Sequence, residues 1–154
     1  MSGVAWVGTV DGAGGVADPA TVPVTDRGFL HGEGLFETMR VLPADDGVRA
    51  PLLAEHVERL ADGARRLGLV APDAGCIARV LRDVCRASGL TDGAVRLTLS
   101  AGDGKPVMVL TTRPIPPDSG PVRLAVVTAR RDPSDPTAGL KTTSRAFWAL
   151  AQRE

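Results

Sequence analysis

The sequence predicts an α+β chain: a small domain over 1–113, a linker over 114–120, and the opening of a second domain over 121–154. Three observations carry that expectation. Apolar and polar residues alternate with a period of two at 35–42 and 95–100, the pattern of half-buried strands. Between them, from Pro51 to Leu69, the period changes to three and four, the pattern of an amphipathic helix. Three prolines then crowd the stretch Arg113-Pro-Ile-Pro-Pro-Asp-Ser-Gly120, which suits a stiff connection and no element interior.

Taken in order, Val4 to Val7 reads as a short strand, and Asp11 to Pro19 as a Gly/Asp/Ala-rich turn. Val22 to Val24 is a second strand candidate, ended by Asp26-Arg27-Gly28. Gly28, Gly32 and Gly34 punctuate a loop that feeds the strand Leu35 to Leu42. There Phe36, Thr38 and Arg40 share one face, and Glu37, Met39 and Val41 the other. In the helix that follows, Leu53, Val57, Leu60, Ala64 and Leu67 form the apolar stripe, with His56, Arg59 and Gly63 along its flank, placed to border a cavity. A second helix is expected from about Asp73 to Ser88, stopped by Gly89. Val95, Leu97 and Leu99 alternate with Arg96, Thr98 and Ser100 in the next strand. Ala101 to Lys105 is a turn, and Val107 to Thr112 returns as an apolar strand. Beyond the linker, Val122 to Thr128 reads as a strand, Asp132 to Gly139 as loop, and Lys141 to Glu154 as the start of a helix. Residues 121–154 are too few to bury a core of their own, so the second domain is expected to be incomplete.

The 154 residues suit one domain or one and a fraction. At 44% apolar and 23% charged the chain can bury a core. Eighteen basic residues balance eighteen acidic ones, which argues against a nucleic-acid surface. No stretch approaches the ~20 apolar residues of a membrane span, and Met1 to Gly15 lacks the basic-then-apolar pattern of a secretory signal. A cytoplasmic protein with no nucleic-acid or membrane partner is therefore expected. Cys76 and Cys85 lie on one helical pattern roughly 13 Å apart, too far for a disulfide. They read as reduced core residues, and two cysteines with two distant histidines offer no metal site.

Sixteen of the eighteen basic residues are arginine; only Lys105 and Lys141 are lysine. Lysine does two things arginine cannot: it condenses with a carbonyl, and it gives up its proton near neutral pH. The run Asp26-Arg-Gly-Phe-Leu-His-Gly-Glu-Gly-Leu-Phe-Glu-Thr-Met-Arg40 opens into a strand, not a helix N-terminus, so phosphate-loop and dinucleotide readings fail.

In sequence order, that loop, His56-Val-Glu-Arg59-Leu on a helix, the arginine strand around Arg96, and Gly-Leu-Lys141-Thr-Thr-Ser-Arg145 resemble the class IV aminotransferases. These are the fold-type IV pyridoxal 5′-phosphate enzymes, among them branched-chain aminotransferases, D-amino acid transaminases and 4-amino-4-deoxychorismate lyases. The resemblance runs from about Trp6 to Glu154. It implies that Lys141 is the Schiff-base lysine and proton shuttle, and that Arg59 grips the cofactor phosphate as a planar bidentate donor. It further implies that Arg96 lies near the substrate carboxylate and that His31, Phe36 and Thr38 line the substrate side. On residue chemistry alone, a solvent-facing Arg96 is the lesser alternative, while His56 could equally pack its helix and Thr38 could equally be a β-branched strand residue.

Branched-chain enzymes usually carry tyrosine at the His31 position and glycine at the Thr38 position. The lyases often carry threonine at the latter, where a hydroxyl can serve proton transfer during pyruvate release. The resemblance thus points first to a lyase forming 4-aminobenzoate and pyruvate in folate synthesis. Transamination of a branched-chain or D-amino acid is the rival, and a non-catalytic fragment of such an enzyme is a third reading. A small amino substrate and a homodimer are implied as partners. In the family, the glutamate that holds the pyridine nitrogen and further phosphate contacts come from the remainder of the second domain, beyond the part that this resemblance covers.

Overall fold

The structure, a computed structural model, describes residues 4–118 and 120–154. Part of the N-terminal stretch, Met1 to Gly3, and Ser119 of the expected linker lie outside the described residues. The α+β expectation holds: six antiparallel strands form one sheet, with two long helices against one of its faces. The strands are β1 (Ala5–Thr9), β2 (Gly14–Ala17), β3 (Gly34–Ala44), β4 (Gly47–Arg49), β5 (Gly93–Ser100) and β6 (Val107–Arg113). They lie side by side in the order β2-β1-β6-β5-β3-β4.

Alternation decides the two faces. Leu35, Met39 and Val41 of β3 and Val95, Leu97 and Leu99 of β5 point to one side and join a buried cluster with Trp6, Met108 and Leu110. That side is closed by α2 (Leu53–Arg66) and α3 (Ala74–Ser88). Each helix docks by its periodic stripe: Leu60 and Ala64 from α2, Ile77, Val80, Leu81 and Val84 from α3, all buried. Asp73 caps α3, its carboxylate accepting the Cys76 amide at 2.8 Å, and Gly89 ends the helix in the left-handed region at φ 71°. Cys76 and Cys85 are free and buried, and burial pushes the Cys85 thiol up to about 11.

Four local expectations need correcting. Val22 to Val24 forms no strand; Val22 and Val24 are exposed, and the stretch lies outside the sheet order. The expected turn at 11–19 instead contains β2, paired to β1 from Gly14 to Ala17, and the sheet also gains the three-residue β4. The glycine loop contains a short helix, α1 (Arg27–His31), whose first turn is capped by Asp26 through the Phe29 amide at 3.0 Å. Val122 to Thr128 is not a strand either: Val122, Leu124 and Val126 are exposed, and among the described residues no strand lies beside them.

The fifth difference bears on the site. Lys141 does not begin a helix, because α4 spans Ala146–Ala151. Residues 140–144 instead run as a short extended segment along the start of β3. Phe36 N donates to Lys141 O and Thr143 N to Gly34 O, both at 2.9 Å, with Leu35 and Thr142 paired antiparallel. The Thr143 and Ser144 hydroxyls both donate to Gly32 O, at 3.0 and 3.2 Å. Leu140 packs beside Gly63 of α2. A Cβ on Gly63 would come within 3.0 Å of Leu35 and 3.6 Å of Leu140, so the bare glycine lets helix, strand and this segment close together.

Candidate active site

The face of the sheet turned away from the helices carries Phe36, Thr38 and Arg40 of β3 and Arg96 and Thr98 of β5. Antiparallel register sets Phe36 opposite Thr98 and Thr38 opposite Arg96. The Lys141 segment runs along the edge of β3 beside this face, its backbone bonded to Gly34 and Phe36. Three cations surround the Phe36 ring: Arg96 Cζ is 3.7 Å from its centroid, Lys141 Nζ 4.8 Å and Arg145 Cζ 5.7 Å. Phe36 is thereby buried, although it lies on the sheet face opposite the main core.

None of these three cations forms an ion pair among the described residues. Burial, followed by the charges of Arg145 and Arg113, lowers the Arg96 pKa from its ordinary value. An arginine remains a cation even so, and a half-buried cation without a carboxylate calls for an anionic ligand.

Arg59 reaches the same place from the other side of β3. A cleft of about 360 Å³ is lined by Arg59, Arg131, Lys141, Arg145 and Trp148, with Ala138, Gly139, Leu140 and Thr142 completing it. It holds four cations and no carboxylate, and its size lies within the ~300–1,000 Å³ usual for small-molecule sites. The donor set fits a phosphate-bearing carbonyl compound: guanidinium groups for the phosphate, one primary amine for the carbonyl.

Beneath Arg59 sits a carboxylate that the sequence pattern placed on the core face without a role. Glu37 is 1% exposed. Its oxygens accept Arg59 Nε and Nη2, each at 2.6 Å, and one of them lies 2.8 Å from His56 Nδ1. Burial opposes its ionisation most strongly, but the bonds from Arg59 and His56 together outweigh it and hold the carboxyl below its ordinary range. An acid in a row otherwise made of Leu35, Met39 and Val41 was the available signal, since a buried charge requires a partner.

The sequence-derived residues are thus distributed as follows. Lys141, Phe36 and Arg96 are brought together, and Lys141 and Arg59 share the cleft. Thr38 is on the same sheet face, one register step from Phe36. His31 ends α1 and lines an adjoining cleft of about 490 Å³, which meets the first at Arg131, Thr142 and Trp148. Trp148 was not singled out by sequence reasoning; Arg131 and Arg145 both stack on it, at 5.7 and 5.4 Å.

The model of the amino-transferase class IV family matches residues 34–154. A curated protein of Methanocaldococcus jannaschii, provisionally named a branched-chain-amino-acid aminotransferase, is 34% identical over 129 residues, covering 75% of this chain and 43% of that protein. The crystal structure of 4-amino-4-deoxychorismate lyase from Pseudomonas aeruginosa superposes with a TM-score of 0.75 at 30% identity, over 97% of this chain and 56% of that one. A hypothetical aminotransferase from Mycobacterium tuberculosis, solved with α-ketoglutarate and PMP bound, superposes at 0.70 with 29% identity, over 96% of this chain and 57% of that one. The chain spans about half the length of these relatives.

Proposed function

The chain belongs to the amino-transferase class IV family, and from that premise we propose that it carries the lysine side of a pyridoxal 5′-phosphate site serving a lyase. The observation that supports this most is the convergence of Lys141, Phe36 and Arg96 over one sheet face, with Arg59 lining the same cleft as Lys141. When bound, pyridoxal 5′-phosphate supplies a carbonyl for the Lys141 amine and a ring that withdraws electrons from the reacting carbon.

The chain's own residues divide the remaining work. Arg59, anchored on Glu37, binds the phosphate. Arg96, backed by Phe36 and crowded by Arg145, orients a substrate carboxylate. Lys141 takes the proton from the carbon bearing the substrate amine. In 4-amino-4-deoxychorismate the neighbouring carbon–oxygen bond then breaks. The enolpyruvyl group leaves, gains a proton on its methylene carbon, and departs as pyruvate. Thr38, opposite Arg96, offers a hydroxyl on the face where that proton is needed.

Transamination is the second reading, favoured by the 34% identity to the Methanocaldococcus jannaschii protein. The two separate on substrates. Supplied with pyridoxal phosphate, the protein is expected to release 4-aminobenzoate and pyruvate from 4-amino-4-deoxychorismate. Thr38→Val, which keeps the shape and drops the hydroxyl, should lower that rate by about 10²-fold or more, the scale of one proton-transfer group. Turnover of branched-chain or D-amino acids with 2-oxoglutarate, without 4-aminobenzoate release, would replace the lyase reading with the transaminase one.

A further inference from the structure

We propose that Glu37 is the positioning residue for the phosphate-holding arginine: its buried carboxylate fixes the Arg59 guanidinium so that the N–H groups left over face the Lys141 cleft. The inference rests on the reading that Arg59 takes the phosphate of pyridoxal phosphate.

A guanidinium has five N–H groups in a rigid fork. Glu37 takes the Nε proton and one on Nη2, and the two form a parallel pair of bonds at 2.6 Å each. Such a fork-to-fork pair defines the plane and the roll of the guanidinium, not merely its distance. Both protons on Nη1 remain unspent, and Arg59 is one of the cations lining the cleft. The Arg59 side chain is 52% exposed, so without the carboxylate a three-carbon stem on an outward helix flank would sample many rotamers.

Glu37 itself cannot wander. It sits in the middle of β3, opposite Leu97 of β5, and is 1% exposed. His56, one turn before Arg59 on α2, holds the carboxylate from a second direction at 2.8 Å. Pairing with Glu37 neutralises Arg59 as a charge, so Glu37 contributes direction. The positive field for a dianion comes from Lys141, Arg145 and Arg131, which have no carboxylate beside them in the cleft.

A purely structural ion pair between strand and helix would predict something different, and two ligands distinguish the cases. Pyridoxal phosphate and pyridoxal share the carbonyl and ring; only the former has the phosphate. Absorbance titration of the protein with each should show Arg59→Ala weakening pyridoxal phosphate at least tenfold and leaving pyridoxal unchanged. Glu37→Gln should do the same by about tenfold, the scale of a hydrogen bond to a charged group. In the Arg59→Ala background it should cost nothing more. If Glu37→Gln weakens both ligands equally, or neither, the positioning role is overturned while Arg59 keeps its own. If Arg59→Ala fails to separate the ligands, or the parent protein does not bind pyridoxal phosphate, the phosphate reading falls and this inference with it. Should Glu37→Gln not fold, His56→Ala removes the second anchor and must show a smaller loss, again confined to pyridoxal phosphate; an equal loss on both ligands would contradict the proposal.

Discussion

Glu37 lies in the core-facing row of β3, yet its carboxylate is wholly engaged by two side chains of α2. Its pKa is held below the ordinary carboxylate value in the folded protein, so the folded state binds that proton less readily than the unfolded chain. The stability this contributes is present above the ordinary range, about pH 4. It is lost as pH falls through the lower, folded value. Glu37→Gln should therefore be less stable than the parent at pH 7, with the gap in melting temperature narrowing as pH is lowered below about 4. A gap that stays constant down to acid would mean the carboxylate is not ionised in the fold. At this scale the sequence singled out Lys141, because lysine is rare in the chain, and Arg59 and Arg96 through the family motifs they resemble. Glu37 was not read as functional because a strand's period of two assigns a face and says nothing about what a neighbouring helix brings to it.

Elements with a long, clean period were legible almost to the residue. β5 follows from strict alternation, and α3 from a stripe bounded by Asp73 and Gly89. The misreadings fall where local pattern is weak and a distant partner decides. β2 is Gly-Gly-Val-Ala, a sequence that favours a turn, yet it pairs because β1 presents an open edge from Ala5 to Gly8. Val122 to Thr128 alternates well but has no strand beside it among the described residues, and alternation without a ladder does not make a strand. The contrast predicts unequal costs for apolar truncation. Ile77→Ala in α3, 1% exposed against the sheet, should cost about 2–5 kcal/mol and lower the urea midpoint with little change in slope. Leu124→Ala, 92% exposed, should leave the midpoint where it is. Equal losses at the two positions would mean that Leu124 is buried in solution by a contact absent from this fold.

For the whole molecule, one antiparallel sheet has its two faces put to separate uses. The helix side supplies the hydrophobic core; the opposite side gathers Arg96, Lys141 and Arg145 around Phe36. That segment contributes the amine, and its backbone is bound to β3 at Phe36 and Gly34, so fold and site share the same hydrogen bonds. The sequence put Lys141, Phe36 and Arg96 on separate segments and did not show how they meet, because Lys141, expected at a helix start, lies in an extended segment beside β3. Lys141 is proposed as the amine that takes the carbonyl of pyridoxal phosphate. Incubation of the protein with pyridoxal phosphate, reduction with borohydride, and mass mapping of the digest tests it directly. A phosphopyridoxyl group is expected on the peptide containing Lys141 and not on that containing Lys105, and it should disappear in Lys141→Arg. A group fixed on Lys105 instead, or adducts that survive Lys141→Arg at the same yield, would contradict it.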